Sequence, residues 1–358
     1  MARYERFLGH DNGHIDPAMW EKLREHEQTR IYYNLRPGGG TDNHNMHLFL
    51  MVGSVLGTVD DAMYGAMSPT TDAMRIKSVY KEDSLIDMCV LDSIVQPTPD
   101  APFESMVVRW SLNAVPIYVR LLVNHQDAVF IEMTGMRQLS NGERVGVHLA
   151  HSVAFDKTPA FKEYDRNNTS NCMLWRQTSP DRVELYVVSY LEIKDSMMVR
   201  SVVKAVAGAL ISSARIMECA RLKKLSWLVL NKDAVAKCEA NSGHAPDEGC
   251  SICGSQHRST RRGIKSACAV CSKYTCKKCR IKQTLHMFAP DGQLLKHEMR
   301  FCIPCIRSAT DLDAAAVATD EAATGIRPME YESGEYNYMS FTMSSSSSSH
   351  SGEDSLFS

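Results

Sequence analysis

Apolar residues crowd into short runs through much of this chain, and their spacing changes along the way. His47–Val55 is almost wholly apolar and reads as a strand. Thr58–Met67 follows, with Thr58 placed as a cap and Asp60 and Asp61 in the first turn, which predicts a short helix. Strand patterns then dominate: Met88–Val95, Ser105–Leu112, Pro116–Val123, Gln126–Thr134, Arg144–Val153, Asn171–Gln177 and Arg182–Leu191. Asn141-Gly142 marks a turn between two of them. Polar turns, not helical stretches, separate these runs, so a curved antiparallel sheet is expected and a parallel α/β sheet is not. The period then lengthens. Val199, Val202, Val203, Val206, Leu210, Ile211 and Ala214 recur at helical spacing and predict one long amphipathic helix from Met197 to about Leu228. Its apolar face must cover something: the core of the sheet, or a cavity within it.

The flanks lack this patterning. Residues 1–45 form a lead-in segment in which Met19-Trp20-Glu21-Lys22-Leu23-Arg24 reads as a short charged helix, broken by Arg36-Pro37-Gly38-Gly39-Gly40. A main domain then spans 46–230. Residues 231–249 read as a linker. Residues 308–358 read as a disordered, acidic, serine-rich tail, because Ala314–Ala316, the run Ser344–Ser349 and scattered acids offer too few apolar groups to order it.

A chain of 358 residues has room for about two domains. No stretch approaches the roughly 20 apolar residues that span a bilayer, and the first residues lack the apolar core of a secretory signal, so a cytoplasmic protein is expected. Net charge of −2 conceals an asymmetry. Residues 250–307 hold 12 Lys and Arg against two acids, whereas 311–358 hold nine acids against one base. A basic module beside an acidic tail suits an anionic partner, either a membrane surface or nucleic acid.

That basic stretch also contains eight of the 12 cysteines, in four pairs: Cys250/Cys253, Cys268/Cys271, Cys276/Cys279 and Cys302/Cys305. Four thiolates complete one tetrahedral zinc, so eight complete two. With every position filled by sulfur, no place is left for a reactive water, which favours structural zinc over hydrolytic chemistry. Nucleophile-elbow and phosphate-loop motifs are lacking. His125, His148 and His151 fall in strands with no acid or nucleophile partner evident, and read as structural or surface residues. No catalytic residue is assigned, and the chain reads as a non-enzyme. Trp110, Phe130, Trp175 and Met198 are the candidate cavity lining.

A strand-rich region followed by a long helix resembles the helix-grip arrangement of START-like lipid-binding domains. The particular phrases resemble a group of oomycete proteins in which a FYVE-type finger follows a START-like domain. They are Gly57-Thr58-Val59-Asp60-Asp61-Ala62-Met63-Tyr64-Gly65, Val90-Leu91-Asp92-Ser93-Ile94, Arg109-Trp110, Ile131-Glu132-Met133-Thr134-Gly135, His151-Ser152-Val153 and Lys223-Lys224-Leu225. The resemblance implies an α+β fold: a START-like helix-grip domain around a lipid tunnel, then a small two-zinc cross-braced finger at 250–307. It also implies the pairing. Cys250, Cys253, Cys276 and Cys279 would hold one zinc, and Cys268, Cys271, Cys302 and Cys305 the other. His257, His286 and His297 would be spare.

FYVE-type fingers read phosphatidylinositol 3-phosphate on endosomal membranes through a WxxD element, an RRHHCR stretch and an RVC element. Here His244-Ala245-Pro246-Asp247 stands where the first would be, and Ile264-Lys265-Ser266-Ala267 precedes Cys268 with Arg261-Arg262 shifted upstream. Arg300-Phe301-Cys302 keeps the last element. Arg261, Arg262, Lys265 and Arg300 are therefore the headgroup candidates. The loop His257–Gly263 is polar, unlike an apolar membrane-inserting one. The rival readings are a scaffold whose finger binds protein only, a RING-like ubiquitin ligase module, and nucleic-acid binding, for which aromatics are sparse.

Overall fold

A computed structural model describes residues 1–9, 13–36, 38, 43–83, 85–114, 124–232, 249–255 and 267–325. Helix α1 (Ala2–Gly9) precedes a hairpin of β1 (Trp20–His26) and β2 (Thr29–Asn34). Strand β3 (Met46–Leu56) leads to α2 (Val59–Ala66) and α3 (Thr71–Lys81). Then come β4 (Leu85–Val95), β5 (Ser105–Asn113), β6 (Gln126–Gln138), β7 (Arg144–Ser152), the short β8 (Asp165–Arg166), β9 (Thr169–Ser179) and β10 (Arg182–Glu192). Helices α4 (Val199–Ser213) and α5 (Ile216–Leu230) follow. Last are the hairpin of β11 (Arg280–Phe288) and β12 (Leu294–Cys302), then α6 (Ile303–Asp311) and α7 (Ala314–Thr324).

Strands β1 to β10 make one sheet in the order β1-β2-β3-β10-β9-β7-β6-β5-β4, with β8 pairing parallel to β6 off that path. All other pairings are antiparallel, as the polar turns lead one to expect. Alternate residues of β3 face opposite sides. Phe49 and Met51 enter the core of the inner face, and Leu48, Leu50 and Val52 enter a separate core beneath Tyr4 and Phe7 of α1. Both faces are covered, which is why His47–Val55 is a continuous apolar run and not an alternation. Helix α2 begins as predicted, with a reciprocal cap between Thr58 and Asp61. Its Gly65 lies so close to α5 that a Cβ there would stand 2.2 Å from the Ile216 carbonyl oxygen.

The C-terminal helices pack on the inner face, but not as the single rod that the periodicity predicts. The chain breaks at Ala214 and Arg215, whose N–H groups reach back only three residues, to Ile211 and Ser212. Before the break α4 lies over β1 and β2, and after it α5 runs along α2. One helical period had concealed two different docking faces. The lead-in segment also differs. Met19–Arg24 is no helix; Trp20–His26 pairs antiparallel with β2, which supplies the backbone bonds that a short uncapped charged helix would lack. Helix α3, with its cap at Thr70, was not anticipated.

Part of the segment read as a disordered tail is ordered. Helix α7 is capped by Asp313, and Ala314, Val317 and Ala318 enter the inner core at i, i+3, i+4 spacing. Composition alone hid this short apolar stripe. Residues 326–358, the 233–248 part of the linker, and the 115–123 segment that contains all of Pro116–Val123 lie outside the described residues. The cysteine-bearing module meets the sheet domain through a shared core. Ile76, Tyr80 and Leu225 cluster with Leu285, Met287 and Phe301. The Lys224 ammonium, 2% exposed, donates to Asp61 (2.7 Å) and to the carbonyls of Thr310 (2.8 Å) and Leu312 (3.0 Å), so it joins α2, α5 and the end of α6. Trp227 Nε1 donates to Asp320 and the Tyr64 hydroxyl to Glu321, fastening α7.

Candidate functional site

The eight paired cysteines converge into two groups. Cys250, Cys253, Cys276 and Cys279 form one and Cys268, Cys271, Cys302 and Cys305 the other, with the sulfurs of each within 4.8 Å of one another. This is the interleaved pairing that the resemblance implies. Measured sulfur separations are 3.7 Å for Cys253–Cys276 and 3.8 Å for Cys271–Cys302. Tetrahedral zinc with bonds of about 2.3 Å would place its sulfurs about 3.8 Å apart, so the donor set fits a metal of that kind.

Tight backbone turns build each half-site. Gly254 N–H donates to the Cys250 carbonyl, and Ser272 N–H to the Cys268 carbonyl. Gly254 and Ser272 both have positive φ, which bends the chain so that two sulfurs three residues apart face one point. Cys302 caps α6, its sulfur accepting from Cys305 N–H. The surroundings differ. In the first group Cys250 is buried and Cys253 exposed; in the second Cys268, Cys302 and Cys305 are all buried. The second group belongs to the core shared with α5. His286 and His297 join neither group. His286 instead lies edge-on to Tyr80, and its backbone N–H donates to the Tyr80 hydroxyl. Burial pushes its imidazole down to about 4.

Of the headgroup candidates, Arg261, Arg262 and Lys265 lie outside the described residues. Arg300 is partly buried on β12, opposite Lys282 of β11. The proposed lining residues are not brought together. Trp175 is buried in the main inner core, Phe130 sits in a small separate cluster with Ala128 and Ala150, and Met198 is buried just before α4. Trp110 faces the other side of the sheet, because Arg109 and not Trp110 pairs with Phe130. Its indole donates to Asp127.

Sequence reasoning missed a buried charge cluster on the inner face. Glu132 of β6 is 3% exposed and meets Arg109 of β5 at 2.6 Å, Lys77 of α3 at 3.1 Å and His148 of β7 at 2.5 Å. Lys77 also donates to Ser68 Oγ and the Ala66 carbonyl. Burial alone would raise the Glu132 carboxyl, yet Arg109, Lys77 and His148 hold it well below the usual range. Burial pushes the Lys77 ammonium down to about 8, against the pull of Glu132, and lowers the His148 imidazole. His148 thus has an acid partner, contrary to its sequence reading. The available signal was strand alternation: Arg109 and Glu132 take inward positions next to Val107 and Phe130.

A pocket of about 40 Å³ lies where α5, β11 and α7 meet, lined in part by Trp227, His286, Phe288 and Asp320. It has room for a few waters, not a lipid. No helix among the described residues is long and apolar enough to cross a membrane.

No protein-family profile matches the chain. No curated protein sequence matches it. Among solved structures it is similar to human StAR-related lipid transfer protein 5, at 15% identity and a TM-score of 0.43, over 61% of this chain and 93% of that one. It is also similar to human STARD10, at 11% identity and a TM-score of 0.42, over 68% of this chain and 89% of that one. A StAR-related lipid transfer protein fragment from Xanthomonas axonopodis gives 12% identity and a TM-score of 0.39, over 56% of this chain and 99% of the fragment.

Proposed function

We propose that this chain is a non-enzymatic, zinc-binding protein that holds a lipid within a START-like helix-grip domain. The observation that carries this reading is the inner face of the sheet. A buried, mutually paired cluster of Arg109, Glu132, Lys77 and His148 shares that face with the separate group of Ala128, Phe130 and Ala150. Buried ions are costly unless paired, and an apolar core would be simpler to build. A polar point inside an apolar face suits an amphiphile, whose head needs partners while its chain needs none.

The cysteine-bearing module is read as a divergent FYVE-like finger with two structural zincs, contacting membranes or partners from a cytoplasmic, peripheral and endosomal position. The second reading makes it a protein-only contact module. Its favouring observation is that the β11–β12 hairpin packs its apolar residues on this chain's own α5. Native mass spectrometry of the full chain tests the main reading. Mass increments of two zinc ions and one lipid are expected. Zinc-loaded protein that takes up no lipid, either from cells or from added phospholipid, would sink the lipid half; metal-free folded protein would sink the other half.

A further inference from the structure

Between β7 and β8 the chain makes two tight turns in succession. Thr158 N–H donates to the Phe155 carbonyl (2.9 Å) and Tyr164 N–H to the Phe161 carbonyl (3.5 Å). The turns share one pattern, Phe155-Asp156-Lys157-Thr158 and Phe161-Lys162-Glu163-Tyr164. A phenylalanine opens each, and one acid and one base fill its exposed centre. Phe155 is 43% exposed and Phe161 50%. Turn geometry calls for small polar residues and gives no reason for a phenyl ring at either place.

The turns are tied down by a partly buried brace. Arg166 forms a two-pronged pair with Asp127, at 3.0 and 2.9 Å, and donates to the carbonyls of Thr158 and Pro159, both at 3.1 Å. Asp127 is 0% exposed and also accepts from Trp110 Nε1. The rings of Trp110 and Tyr164 flank Phe161 at 5.8 and 5.9 Å. A buried carboxylate and a partly exposed guanidinium thus fix the segment between the two phenyl rings. Both turns lie at the end of the sheet where β7 finishes and β6 and β9 begin, the end nearest Ala128, Phe130 and Ala150. Met197, 89% exposed, lies in the connection that leaves β10 at this same end.

We propose that this end of the protein docks on a zwitterionic lipid bilayer, with Phe155 and Phe161 entering the headgroup layer. Charge complementarity selects that partner. An anionic membrane is met by a net positive patch, whereas each turn here carries one acid and one base and no net charge. Such paired charges match a layer in which every phosphate stands beside an ammonium. Rings at the tips of turns, each with its own charges alongside, suit insertion between headgroups better than the desolvated centre of a protein interface. The proposal rests on the lipid-binding reading.

Cosedimentation of the full chain with phosphatidylcholine vesicles tests it. Wild type should bind with little dependence on salt. Phe155→Ser/Phe161→Ser should lower the affinity about tenfold or more, from the lost burial of two rings. Its thermal midpoint should fall only slightly, because both rings are already about half in water and Phe161 loses only its contacts with Trp110 and Tyr164. Native mass spectrometry on the same samples separates the two ideas: retained lipid with lost vesicle binding supports docking by the rings. Equal binding by the variant overturns the proposal. So does binding that appears only with anionic vesicles, or ring-dependent self-association of wild type without vesicles.

Discussion

The two cysteine tetrads have the same ligands and the same interleaved wiring, yet they sit in different surroundings. The first stands at the margin, with Cys253 exposed and no member in any core cluster. Cys268, Cys302 and Cys305 of the second lie in the apolar core that also holds Leu222 and Leu225 of α5. Identical chemistry can therefore do two jobs. At the margin it shapes a local loop. In the shared core it sets the position of α6, and through Lys224 that of α5 and α2, which cover the sheet. The sequence places a linker between the finger and the domain before it; the shared core argues for coupling through one tetrad and not the other.

Cys302→Ser should give the largest effect. It removes a sulfur ligand from the buried tetrad, while serine can still cap α6. Structural zinc contributes of order 10–16 kcal/mol in isolated fingers, comparable with the whole stability of a domain. Trp175, buried in the sheet core, reports the result. The cooperative loss of its near-ultraviolet signal should move to much lower temperature. A variant whose Trp175 transition stays at the wild-type midpoint would break the comparison. Lys224→Met comes next. It leaves Asp61 and two carbonyls without their ammonium, and one-sided loss of a buried pair costs about 3–5 kcal/mol. Urea unfolding should show that loss with both zincs still bound.

Cys253→Ser should be milder. Zinc content should fall from two to one while the Trp175 transition shifts by the equivalent of about 1 kcal/mol or less, as for an exposed site away from the core. A chelator titration should sharpen the contrast by removing the marginal metal first.

How much of this was legible in the sequence depends on how local the signal was. Cysteine spacing is local and stereotyped, and both tetrads assemble as their resemblance implied. The cap at Thr58 and the turn at Asn141-Gly142 are local too, and both stand where they were read. The break at Ala214 was hidden because α4 and α5 continue one apolar period while docking on different partners. The stripe Ala314, Val317, Ala318 was hidden because small residues carry little hydrophobic weight until a neighbour needs a slender helix. The Glu132 cluster was hidden for another reason. Its four members come from α3, β5, β6 and β7, and only the folded sheet brings them to one point.

That cluster supplies a further small prediction, and a control on the others. Acid would release a metal held by either tetrad by protonating its thiolates, so a simple pH melt cannot separate the module from the sheet. His148 can. As a carboxylate only accepts, the neutral imidazole donates its Nε2 proton to Glu132. Burial lowers its folded pKa below the unfolded value of 6.5. Between those two values the unfolded chain binds more protons, so stability falls as pH drops through the window. His148→Gln removes that penalty but keeps a side-chain donor. Its stability relative to wild type should therefore rise as pH falls from 7.5 to 5.5, by no more than about 1.4 kcal/mol for the one unit below 6.5. Metal release is common to both proteins and cancels in the difference. A difference that stays flat with pH would mean that folding leaves the His148 pKa unshifted, and one of opposite slope would mean that His148 is protonated in the folded sheet, so that Glu132 is paired with three cations instead of two.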